Sequence, residues 1–326
     1  MKTATILFIE TLQKREQLIV SDKFTKPNRG VFSTLLNAEA EKKMGKEVNH
    51  QISELTDVYF KAVVLCRKNR KNEALAILLE ADNAFEHFDL KPKRILSLFK
   101  ISAWANYHYK LDEYTKGINL LVAGLSQSAM LEAEGYDVLQ YRRIEQLQNI
   151  CRILFSSKRY LEGFSVMRSV LRFILTGNFE GLYVQEWDYR KFKQIRQMME
   201  NTLDSVFIQL AILNNTACDT LFGNIFYYDF FFKELLEIME TDTYNRSILY
   251  NWMYVKASYF KEGKEAFLNN VSTFLKDEEI SPDYNKLKEN LLLNSIEVLK
   301  EHESRDLKLV KESVSQYISN LQPLAV

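Results

Sequence analysis

The chain's four histidines, His50, His87, His108 and His302, include no His-x-x-His or His-Glu-x-x-His step, the spacings that set two imidazoles on one helix face around zinc. Glu47 and His50 do form a Glu-x-x-His step of the kind di-iron carboxylate bundles use. Those proteins need the motif twice, and no other histidine here has a glutamate three residues before it. Gly-x-Gly-x-x-Gly, the Walker loop, the Gly-x-Ser-x-Gly elbow and Asp-Asp-x-x-Asp are also missing. Sequence motifs therefore predict no metal, no cofactor and no catalytic centre. Cys66, Cys151 and Cys218 are odd in number, far apart and set in apolar helical contexts, so they read as reduced core thiols.

Two local compositions stand out. Ile225–Phe232 wraps aromatic residues around more than one helical face, as a helix sandwiched between neighbours does; its tyrosines would otherwise suit a groove for a peptide or stacked bases. Arg67-Lys68-Asn69-Arg70-Lys71 and Lys91-Pro92-Lys93-Arg94 place cations at helix ends, where they complement the backbone dipole. Forty-three basic residues balance forty-three acidic ones, which argues against a nucleic-acid partner.

The elements that must carry these residues are helices. Only four prolines and ten glycines interrupt 326 residues. Apolar period and turn residues place helices near 3–20, 31–44, 48–69, 72–88, 93–110, 113–128, 136–156 and 159–175, then near 185–214, 217–240, 244–261 and 263–276. Two more follow Pro282, the last over 306–321. Short polar joints make neighbours antiparallel. The glycine-containing stretch after residue 175 reads as a hinge, dividing an N-terminal region, 1–176, from a C-terminal region, 177–326, that ends in a capping helix. No apolar run reaches the ~18 residues of a membrane span, and the start lacks a secretory pattern. The expected location is the cytoplasm, with no membrane partner.

A pattern of small residues recurs along the first region. Ala62, Ala74 and Ala81 are matched by Ala105, Gly117 and Gly124, then by Cys151, Gly163 and Val170, so a spacing of 12 then 7 is kept. Units start 43 residues apart (62 to 105) and then 46 apart (105 to 151). Larger residues keep their offsets too, with His108 at the place of Leu65 and Leu154. Paired helices approach closely only where side chains are small, so such offsets encode helix hairpins. The pattern resembles the tetratricopeptide repeat over about 55–175, best in Trp104-Ala105, His108, Asp112–Ile118 and Leu121, with Tyr160-Leu161-Glu162-Gly163-Phe164 repeating its core. The period is longer than that family's ~34 residues, and its closing proline is missing. Ala211 and Gly223 keep the spacing of 12 without the neighbouring residues.

The resemblance implies an all-α fold, an α-solenoid of antiparallel helix hairpins in a right-handed superhelix. It also implies a concave face lined by the first helix of each pair. There the ligand-facing offsets fall at Tyr59, then Asn106, Tyr109 and Lys110, then Gln148 and Arg152. Amide and cationic side chains of this kind grip a peptide backbone or a carboxylate. The expected function is a non-catalytic scaffold or adaptor for a protein or peptide partner. The alternatives are a peptide-sensing regulatory module acting through a partner, and an all-helical enzyme whose site follows no motif.

Overall fold

The computed structural model describes residues 2–13, 31–184, 186–217, 224–277, 279–300 and 305–321, and every regular element among them is helical. They fall into two compact units: a central unit, Pro27–Leu203, and a terminal unit that joins Met1–Lys26 to Asp204–Val326. Among the described residues no helix is long and apolar enough to cross a membrane.

The central unit holds α2 (Val31–Met44), α3 (Lys46–Arg67), α4 (Lys71–Glu86), α5 (Leu90–Lys110), α6 (Tyr114–Ala133), α7 (Leu139–Ser156), α8 (Tyr160–Thr176) and α9 (Tyr189–Gln194). Helices α3 and α4, α5 and α6, and α7 and α8 pair as hairpins, with α3 also packed on α5 and α6 on α7. One joint serves all three hairpins. Asn69, Asp112 and Lys158 take positive φ of 59°, 61° and 61°. The next amide in each reaches back five residues: Arg70 N–H to Leu65 O at 2.9 Å, Glu113 N–H to His108 O at 3.0 Å, and Arg159 N–H to Leu154 O at 2.8 Å. This is the Schellman closure, which satisfies carbonyls at a helix end and reverses the chain in three residues. His108 tolerates the offset held elsewhere by leucine because its Nδ1 pairs with Glu113 Oε2 at 2.5 Å across the same joint.

The small residues lie where these helices meet. Ala62, Ala74, Ala81, Ala105, Cys151 and Val170 are all buried. A Cβ on Gly117 would stand 3.3 Å from the Ala105 carbonyl oxygen, and one on Gly163 would be 2.6 Å from the Phe155 ring. A side chain at either position would push its hairpin apart.

Left-handed backbone costs an L-residue about 1–2 kcal/mol, least for asparagine and aspartate. Lys158, exposed and unbranched, has no such tolerance. Replacing Lys158 with Gly is expected to raise stability by about 0.5–1 kcal/mol, net of glycine's greater unfolded freedom, while Asn69→Gly changes it little. Urea unfolding of both variants measures the difference. No gain at Lys158 would mean that the joint is unstrained there.

The stretch after α8, expected as a hinge, packs back on its own unit. The Tyr189 hydroxyl donates to the Leu175 carbonyl at 3.2 Å. Trp187 lies 4.7 Å from Phe173 and Tyr141 stacks on Phe192 at 4.7 Å, centroid to centroid. Arg143 of α7, wholly buried, donates through Nη1 to Glu186 O at 2.6 Å and to Glu132 Oε2 at 2.9 Å. Its guanidinium lies 3.8 Å from the Trp187 ring centre. These contacts move the boundary from the expected 176/177 to 203/204, and α1 joins the other unit. The helix expected over 185–214 is correspondingly two: α9, begun by the Asp188 side chain accepting from Arg190 N–H and Lys191 N–H, and α10 (Arg196–Thr216).

The terminal unit contains α1 (Lys2–Gln13), the part of α10 from Asp204, α11 (Ile225–Tyr227), a π-helical turn at Tyr228–Phe232, α12 (Lys233–Ile238), α13 (Tyr244–Glu262), α14 (Lys264–Lys276), a 3-10 turn at Pro282–Tyr284, α15 (Asn285–Leu299) and α16 (Arg305–Asn320). Helix α1 packs on α14 and α16, so the two chain ends share one core. The aromatic run lies mostly inside it: Tyr227, Tyr228, Phe231 and Phe232 are buried. Residues 14–20 of the expected first helix, Cys218 and Gly223 lie outside the described residues.

Candidate functional site

Helices α5 and α7 run in the same direction, as two ties show. Arg142 Nη2 donates to Ser102 Oγ at 2.8 Å, and further along both helices the Tyr109 hydroxyl meets Ser156 Oγ at 3.0 Å. Between the ties, α5 presents Asn106, whose Oδ1 is buried with no partner among the described residues. Helix α7 answers with Glu145, Asn149 and Arg152, which with Arg142 and Ser156 follow an i, i+3, i+7 course along one face. Arg152 donates to Asn149 Oδ1 at 2.7 Å. Lys110 sits 5.3 Å from the Tyr109 ring centre.

Four of the six expected residues thus share one polar strip: Asn106, Tyr109, Lys110 and Arg152. Tyr59 does not. It is 1% exposed, and its hydroxyl donates to Asp82 Oδ1 at 2.9 Å. The other Asp82 oxygen accepts from Trp104 Nε1 at 3.2 Å and pairs with Lys100 at 3.1 Å, so this carboxylate of α4 binds α3 to α5. Tyr59 is an anchor between hairpins, and burial followed by the Asp82 bond raises its phenol above the usual range. Gln148, 8% exposed, also turns inward. Its neighbour Asn149, a helical step of about 100° away, belongs to the strip instead.

Electrostatically the strip is cationic. Burial lowers the Arg152 guanidinium pKa, as does the nearby charge of Arg67 from the end of α3, while Tyr109 and Glu145 pull the other way. Burial raises the Cys66 thiol against the pull of Lys110 and Lys71. Amide oxygen, phenol and cations in a row can hold peptide groups and anions by hydrogen bonds. Ser102, Arg142, Asn149 and Ser156 were not singled out in the sequence. The polar i, i+3, i+7 spacing on α7 is the signal that carries the last three. No group of three or more His, Cys, Asp or Glu side chains able to hold a metal occurs among the described residues. Both described cysteines, Cys66 and Cys151, are free and buried.

The architecture is all-α. No protein-family model, no curated protein and no solved structure matches the chain.

Proposed function

We propose that the chain is a peptide- or protein-binding scaffold of tetratricopeptide-like design, a right-handed solenoid of helix hairpins in its central unit. An extended segment of a partner binds there along α5 and α7. The observation that carries this reading is the row of part-exposed Asn106, Tyr109, Lys110 and Arg152 along two parallel helices, whose amide, phenol and cationic groups can hydrogen-bond the backbone and side chains of a bound segment. The cationic ends at Lys110 and Arg152 favour an acidic segment. Three equal joints at a 43- and 46-residue step, and parallel first helices, support the repeat design.

The test is selection of displayed random peptides on the full chain, followed by affinity measurement on variants. Enriched peptides should be rich in Asp and Glu, and should lose binding on the order of tenfold with Asn106→Ala or Arg152→Ala, about one charge-assisted hydrogen bond. Lys308→Ala, on the exposed face of α16, should leave binding unchanged. Peptides that bind both groove variants as tightly as the natural chain would overturn the assignment.

A further inference from the structure

The last turn of helix α2 reaches the joint between α6 and α7. Lys43 Nζ donates to the Glu134 carbonyl at 2.6 Å and lies 4.8 Å from the Tyr136 ring centre. Gly135, at φ +86°, leaves room for that ammonium: a Cβ there would stand 3.1 Å from Nζ. One turn back on the same helix face lies Glu39, near the Val138 backbone and Asp137 of that joint. Its Oε2 is buried with no partner among the described residues. The rest of the helix packs on α3, and its buried positions are Leu36 and Ala40.

Charge makes this docking conditional. The joint already concentrates carboxylates, each with a cation of its own. Glu134 pairs with Arg94 of α5 at 2.5 Å, Asp137 with Lys191 of α9 at 2.8 Å, and Glu132 of α6 with Arg143 of α7 at 2.9 Å. Glu39 enters this group facing Asp137, with only Lys43 nearby in compensation, and Lys43 is committed to the Glu134 carbonyl. Burial first, then Asp137, lift its carboxyl to about 7, against the opposing Val138 N–H and Lys43.

We propose that α2 is a proton-gated strap, docked on the α6–α7 joint while Glu39 is neutral and loosened when Glu39 ionises against Asp137. The sign follows from linkage. A carboxyl whose docked pKa lies above its free value favours docking at low pH and withdraws that support as pH rises from about 4.5 through 7. The constant for opening the strap should then rise on the order of tenfold between pH 6 and pH 8.5. Release uncovers the surface of α3 on which α2 packs, which makes the accessibility of this first hairpin a function of pH near neutrality.

Amide hydrogen exchange on the full chain, corrected for intrinsic rates, reads this directly. Protection over residues 31–44 should fall on the order of tenfold from pH 6 to pH 8.5, while α7 keeps its protection. Glu39→Gln, which keeps the size of the side chain without its charge, should hold α2 at its pH 6 protection throughout. Lys43→Met should lower protection at both pH values and widen their ratio, because Lys43 holds the Glu39 carboxyl down. Equal protection of α2 at the two pH values, a persisting pH response in Glu39→Gln, no effect of Lys43→Met, or parallel loss in α7 would each overturn the strap.

Discussion

At pH 8, Arg143→Met is expected to destabilise the central unit by about 3–5 kcal/mol, the cost of stripping a buried carboxylate of its partner. The guanidinium is wholly enclosed, stacked on Trp187 and bonded to Glu132 and the Glu186 carbonyl. Its removal leaves Glu132 facing Asp137 with no adjacent cation but the more distant Lys191. Burial already raises the Glu132 carboxyl to about 7 and lowers the Arg143 guanidinium, so desolvation outweighs attraction on both sides of the pair. The fold therefore prefers Glu132 neutral, and the support this gives is lost as pH rises through about 7. Consequently the deficit of Arg143→Met should shrink at pH 5, where Glu132 holds its proton in both proteins. Adding Glu132→Gln should recover part of it at pH 8. Denaturant melts at the two pH values check this, and a deficit independent of pH would show that Arg143 acts by packing alone.

In the terminal unit Lys256→Met is expected to cost about 3–5 kcal/mol. Lys256 is 1% exposed, and its ammonium donates to Asn294 Oδ1 at 2.7 Å, Asn290 Oδ1 at 2.9 Å and Asn214 Oδ1 at 3.4 Å. The Trp252 and Phe232 ring centres lie 5.1 Å and 5.8 Å away. Methionine fills the same volume and adds no donor, so the amide oxygens of α10 and α15 lose a shared centre. Lys256→Met with Asn294→Leu should be more stable than Lys256→Met alone, because an apolar pair leaves less polar surface unmet. Urea unfolding of the terminal unit measures both, and a loss below about 1 kcal/mol for Lys256→Met would show the amides to be satisfied without it.

Helix identity was readable throughout the chain, because few prolines and glycines interrupt long apolar periods. Ala62/Ala74, Ala105/Gly117 and Cys151/Gly163 marked where backbones approach, since that demand acts directly on side-chain size. Facing was harder. Tyr59 and Gln148 are polar yet point inward, because Asp82 supplies a hydrogen-bond partner for one and a single helical step separates the other from Asn149. The glycines after α8 read as a hinge because sequence shows backbone freedom but not the Arg143–Glu186 bond that ties the stretch to α7. Residues 217–240 read as one helix, and the π-helical turn at Tyr228–Phe232 left no signal in apolar period.

The union of α1 with α14 and α16 has a consequence for synthesis. The hairpins of the central unit can form as they leave the ribosome, each from neighbouring sequence. Helix α1, whose Phe8 is wholly buried in the finished protein, is made long before the helices it packs on. At ordinary elongation speeds roughly 15–60 s separate its appearance from that of α16. Throughout that interval the nascent chain carries an apolar helix whose packing partners are not yet made, which makes α1 dependent on chaperone protection.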